Sequence, residues 1–170
     1  MATSSITSDE LRRTGYRIVT TIDKGLQDAA VAAVTAMPAD HAPNLRAALV
    51  TLDPTDGAIL ALYGGPDYLT QAQNAVTQDV AQAGSTFKPF ALTAYLEAGG
   101  SLKSRYSGAN RFPLPGFADD VVRNFGNASF GEIDLVEATA KSVNSVYAQI
   151  NAEVTPAATL DVARRAGLPD

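Results

Sequence analysis

The sequence predicts an α/β fold of the α+β type, and three observations predict it. The chain of 170 residues is 46% hydrophobic and 18% charged, which is the balance of a globular domain with a real core. Residues 47–52 and 58–63 are two apolar runs joined by Asp53-Pro54-Thr55-Asp56-Gly57, a composition that closes a tight turn between antiparallel strands. Other stretches repeat apolar residues at helical spacing and carry caps and stops at their ends.

In chain order, the start MATSSITSDE is polar and reads as a loose leader or a boundary, residues 1–15. Residues 16–22, YRIVTTI, are β-branched and read as a strand. Asp23 caps the helix that follows, in which Leu26, Ala29, Ala30, Ala33, Val34 and Met37 share a face until Pro38 ends it. The hairpin comes next, its strands apolar along most of their length, as expected for strands covered on both faces. Gly57 supplies positive φ in its turn, and Gly64-Gly65-Pro66 breaks it off.

After a polar connection, Phe87, Phe90, Ala91, Ala94, Tyr95 and Ala98 mark a buried helix from Thr86 that Gly99-Gly100 stops. Pro89 has no N–H and disfavours helical geometry at Lys88, so it belongs in the first turn. Residues 101–131 are rich in Gly, Pro, Asn and Asp and predict irregular loops. Asp134-Leu135-Val136-Glu137 has the form of a capping box, placing a helix start at Leu135. Ser142-Val143-Asn144 interrupts that helix, and a second apolar pattern runs through Val146, Tyr147 and Ile150. Thr155-Pro156 reads as a cap and first helical residue, with Gly167 as the stop.

Charge and composition exclude several functions. A net charge of −5 gives no basic footprint for nucleic acid. With no cysteine, thiolate metal sites and disulfide frameworks are ruled out, and the single histidine, His41, sits in a polar Pro-flanked stretch that reads as exposed loop. No metal and no cofactor are expected. No stretch of the sequence has the ~20 apolar residues of a membrane-crossing helix.

The chemistry concentrates in AGSTFKPF and KSVN. In the first, Ser85 and Lys88 stand three apart at a helix start, so a hydroxyl and an amine share one face. A desolvated lysine can lose its proton near neutral pH and activate a serine as nucleophile, whereas a solvated surface lysine beside a serine cap does nothing. In the second, Ser142 and Asn144 lie on the break between two helices, where they can cap backbone groups, or shuttle a proton and orient an amide substrate. Ser-x-x-Lys followed by Ser-x-Asn is part of the signature of penicillin-binding proteins and class A β-lactamases.

The segments YRIVTTIDKGLQDAAVAAV, AALVTLDPTDGAILALYGG, AGSTFKPFALTAYLEAG and FGEIDLVEATAKSVNSVYAQI, in that order, resemble the transpeptidase domain of bifunctional (class A) penicillin-binding proteins, from Tyr16 to about Gly167. The resemblance implies a β-lactamase/transpeptidase-like fold in which a helical subdomain packs beside a central antiparallel sheet, only part of which lies in this chain. Residues 16–170 would be the N-terminal half of that domain. It implies a D,D-transpeptidase that cross-links peptidoglycan stem peptides through a serine acyl-enzyme and is acylated by β-lactam antibiotics, on the extracytoplasmic face of a bacterial membrane. Ser85 would be the nucleophile, Lys88 its base, and Ser142 a proton relay toward the leaving amine. Asn144 would contact the substrate backbone or hold Lys88, and the N–H of Ser85 would donate to the oxyanion.

The third motif of the family, Lys-Thr-Gly or Lys-Ser-Gly, does not occur: none of Lys24, Lys88, Lys103 and Lys141 begins such a triplet. The strand that bears it in the family supplies the second oxyanion donor and grips the substrate carboxylate. A complementary C-terminal fragment carrying that motif is therefore the expected partner. Two other readings stand beside the enzyme: a penicillin-binding sensor or scaffold without turnover, and a β-lactamase, which ranks last because no deacylating carboxylate can be assigned.

Overall fold

The computed structural model describes residues 7–42 and 44–168, which fall into two compact units, Met1–Ala81 and Gln82–Asp170. No helix among the described residues is long and apolar enough to cross a membrane.

In the first unit, α1 (Ser8–Thr14) occupies part of the stretch read as a loose leader; residues 1–6 lie outside the described residues. The correction has a local cause. Thr7 and Glu10 form a full capping box, with Thr7 N donating to Glu10 Oε2 at 2.7 Å, and left-handed Gly15 ends the helix. Residues 16–22 do not form the expected strand. Their backbone finds no ladder partner among the described residues, and only Thr21 Oγ1 (to Ile59 O, 2.6 Å) and Asp23 N (to Leu60 O, 2.9 Å) bond the hairpin. β-propensity records fit to a pleated surface, and without a neighbour it builds nothing. Asp23 Oδ1 accepts from Leu26 N at 2.8 Å and opens α2 (Lys24–Thr35) as expected.

The hairpin pairs β1 (Leu49–Leu52) with β2 (Ile59–Tyr63), antiparallel, with a register shift between Thr51 and Leu52. Its turn closes through Gly57 N to Asp53 O, and Gly57 has φ of 76°. Gln27 of α2 binds both backbone groups of Leu62, so α2 covers one face. On the other face Val50 is 46% and Leu52 53% exposed, so among the described residues of this unit the expected cover on both faces is not found.

The second unit is built around a helical core. Its leading helix, α3 (Lys88–Glu97), begins two residues later than expected because a 3₁₀ turn, Gly84–Phe87, precedes it. Three further helices follow: α4 (Leu135–Ala140), α5 (Asn144–Val154) and α6 (Pro156–Arg165). Ala91 and Tyr95 of α3 meet Leu135 and Ala138 of α4 and Val146, Tyr147 and Ile150 of α5, each set at helical spacing. Fully burying a side chain such as Leu135 or Ile150 contributes about 1.5–3 kcal/mol. Residues 101–131 are less irregular than expected: β3 (Arg105–Ser107) pairs with β6 (Glu132–Asp134), and β4 (Phe112–Pro113) with β5 (Val121–Val122). Buried Ile133 of β6 joins the helical core, and packing of this kind orders strands too short to signal themselves. At α4 only half of the capping box forms: Asp134 Oδ1 takes Glu137 N at 2.9 Å, while the Glu137 carboxylate turns to Lys141 Nζ at 2.7 Å.

Candidate active site

Ser85 sits on the 3₁₀ turn that feeds α3. Gly84, just before it, has φ of 55°, a left-handed step that swings the chain into the turn. The side chain of Ser85 is exposed, and its hydroxyl makes no hydrogen bond among the described residues. Its N–H lies in the first turn of the 3₁₀ segment, where leading amides lack an intrahelical acceptor. Lys88 opens α3 with Pro89 behind it, and takes helical φ and ψ of −56° and −38° despite the steric bias that proline imposes. The continuous 3₁₀-to-α path holds it there.

The Lys88 side chain reaches the junction between α4 and α5. Nζ donates to Ser142 O at 2.6 Å, to Ser142 Oγ at 2.9 Å and to Asn144 Oδ1 at 2.7 Å. The junction is shaped for this. Ser142 N bonds Thr139 O and Val143 N bonds Ala138 O, the pair of reversed bonds that finishes a helix with a left-handed residue, and Ser142 is that residue with φ of 51°. The reversal turns both oxygens of Ser142 toward one amine. Asn144 is the first residue of α5 rather than its cap, which is Val143, and so Asn144 keeps its side chain free for Lys88. Its Nδ2 donates to Arg123 O at 2.9 Å, which fixes Oδ1 as the end facing the lysine.

An ammonium has three N–H bonds, and these three acceptors use them all. If the lysine is neutral, only the Ser142 hydroxyl among the three can reverse and donate to the lone pair. Lys88 forms no ion pair among the described residues, and burial holds its pKa below the ordinary lysine range. Against burial, the three acceptors and the ring of Tyr147, centred 5.4 Å from Nζ, favour the cation. Lys88 and Asn144 also stand on the wall of a cavity of about 530 Å³, otherwise mostly apolar, with Phe87, Phe117, Val121 and Tyr147 around it.

Of the four residues singled out from the sequence, Lys88, Ser142 and Asn144 are bonded together, and Ser85 stands one turn away without a bond to the lysine. Tyr147 and the Arg123 carbonyl were missed. Tyr147 lies three residues after Asn144, on the same helical face, so spacing alone could have pointed to it. Arg123 falls in the stretch read as loops, and a backbone carbonyl leaves no trace in a sequence. His41 is exposed, as expected.

Residues 47–169 match the model of the penicillin binding protein transpeptidase domain. The chain belongs to that family. Among curated relatives, it is 34% identical over 171 residues to penicillin-binding protein 1A of Mycobacterium tuberculosis, covering 96% of this chain and 19% of that protein. It is likewise 34% identical to penicillin-binding protein 1A of Mycolicibacterium smegmatis, covering 97% of this chain and 20% of the relative. The chain thus spans about a fifth of the length of these relatives. Among solved structures, the PonA1 protein of M. tuberculosis in complex with penicillin V superposes with a TM-score of 0.82 at 33% identity, over 95% of this chain and 42% of that one. Penicillin-binding protein A of M. tuberculosis, solved as a penicillin G acyl-enzyme, gives 0.74 at 29% identity over 89% of this chain and 40% of that one. The β-lactamase/transpeptidase-like fold expected from the sequence is therefore the fold this chain shares in part.

Proposed function

We propose that this chain carries the nucleophile side of a serine D,D-transpeptidase that cross-links peptidoglycan stem peptides and is acylated by β-lactams. The observation that carries the reading is Lys88 Nζ, half-buried, held by three neutral acceptors and paired with no carboxylate among the described residues. Burial lowers the pKa of this lysine, which eases its use as a base.

In the proposed reaction Ser85 Oγ attacks the carbonyl carbon of the penultimate D-Ala while Lys88 Nζ takes the hydroxyl proton. The bond from that carbonyl to the terminal D-Ala nitrogen breaks. Ser142, able to accept from and donate to the lysine, passes a proton to the departing amine. The ester on Ser85 then meets an amine of a neighbouring stem, which forms the new amide and returns Oγ with a proton. A β-lactam follows only the first half: the ring C–N bond opens and the ester stays. The N–H of Ser85 is one oxyanion donor, where losing a single donor lowers the rate on the order of 10²-fold. A fragment carrying Lys-Thr-Gly supplies the second donor and the carboxylate grip. The substrate sets the location, the extracytoplasmic face of a bacterial membrane.

Mass spectrometry after benzylpenicillin treatment, with this chain alone and mixed with a C-terminal fragment bearing Lys-Thr-Gly, tests the reading. The mixture should gain one intact penicillin on Ser85, the chain alone little or none, and Ser85→Ala none at all. A mixture that stays unmodified, or an adduct on another serine, overturns the assignment.

A further inference from the structure

The first turn of α5 raises a problem that its own sequence does not solve. Its N-cap is Val143, which has no side-chain acceptor, so the leading amides of the helix need a partner from elsewhere. Ser145 N finds one in Asn124 Oδ1 at 3.0 Å, twenty-one residues back in the chain. Asn124 is 6% exposed, and its remaining polar groups are all engaged: Nδ2 donates to Gly108 O and to Ala128 O, each at 3.0 Å, and its backbone N donates to Asn110 Oδ1 at 3.0 Å. The Gly108 carbonyl is itself fixed, because Phe130 N bonds it and a Cβ on Gly108 would fall 2.6 Å from Phe130 Cβ. Two carbonyls on one side and an N–H on the other leave the Asn124 amide a single orientation. Immediately before it, the Arg123 carbonyl accepts Asn144 Nδ2, the bond that turns Asn144 Oδ1 onto Lys88.

We propose that Asn124 is a positioning residue for the lysine site: it caps α5 from outside and locks the backbone whose Arg123 carbonyl orients Asn144. Its importance for catalysis rests on the acyl-transfer reading, but its effect on Lys88 does not, so the test reads the lysine and not turnover. Neither aspartate nor serine can replace the amide, since it must accept once and donate twice in a buried setting.

The unmodified chain gives the first measurement, amide hydrogen exchange by NMR. Ser145 N–H should be protected as strongly as the amides in the middle of α5, and an exchange rate orders of magnitude faster overturns the proposal. The second is a pair of variants, Asn124→Ala and Asn124→Ser, beside Ile150→Val as a control destabilised in the core. Both Asn124 variants should lower Tm, by on the order of 10 °C for a unit of this size. They should also release the Asn144 side-chain amide to fast exchange and lower the titration midpoint of Lys88, followed through its ¹³Cε shift, because the ammonium loses Asn144 Oδ1 as an acceptor. Ile150→Val should lower Tm and leave both site signals in place. A folded Asn124 variant with unchanged Lys88 titration and Asn144 protection reduces Asn124 to a stabilising residue and defeats the proposal.

Discussion

Helices α3, α4 and α6 end in the same hydrogen-bonded reversal, yet they fill its left-handed position differently. At the end of α3 it is Gly99, φ 90°, and at the end of α6 it is Gly167, φ 97°. At the end of α4 it is Ser142, φ 51°. A Cβ on Gly99 or Gly167 would meet nothing within 4 Å, so glycine stands there for its backbone freedom and not for want of room. A side chain in that conformation costs roughly 1–2 kcal/mol. The serine at α4 therefore sits where local energy favours glycine, and its hydroxyl and carbonyl are the atoms that hold Lys88. Strain at Ser142 thus coincides with the contact that holds Lys88.

The comparison can be pressed hardest at the lysine. Lys88→Arg keeps the charge but not the ability to act as a base, and penicillin acylation in the mixture with the Lys-Thr-Gly fragment should fall by ~10²–10⁴-fold. Near-normal acylation would make Lys88 a structural cation and leave Ser142 without a reason for its strain. Next comes Ser142→Gly, which should separate stability from function. Relief at the helix end should raise Tm by about 4–8 °C, while acylation falls at least ~10-fold for want of the hydroxyl. A lower Tm would show that the contact with Lys88 outweighs the strain. The reciprocal change, Gly167→Ser, should lower Tm by about 4–8 °C and leave acylation unchanged, since only backbone conformation is at stake.

The smallest expected effect concerns pH. Burial lowers the pKa of Lys88 in the folded state, so between that lowered midpoint and the ordinary lysine value the unfolded chain binds more protons than the folded one. Stability contributed by this site therefore rises with pH through that window, and the penalty for burying the cation is fully present below it. Lys88→Met should flatten the difference. Urea unfolding of both proteins at stepped pH measures it, and identical slopes would mean that the folded lysine titrates as a free one.

The helix starts at Asp23, Asp134 and Thr155, the stops at Gly99 and Gly167, and the turn closed by Gly57 were all legible in the sequence, because each is decided within three to five residues by one side chain and one backbone group. The motifs around Ser85 and Ser142 were legible as residue types for the same reason. Residues 16–22 were misread because a strand is a relation with a partner, and propensity describes only one side of it. The site depended on such relations throughout. Lys88 and Asn144 are 56 residues apart in the chain, and Asn124 and Ser145 are 21 apart. Two hydroxyls stood as partners for the lysine, and spacing favoured Ser85, three residues away on one helical face. Only the tertiary structure turned Nζ to Ser142, because the left-handed step at the end of α4 aims two oxygens at a point that α3 alone cannot define.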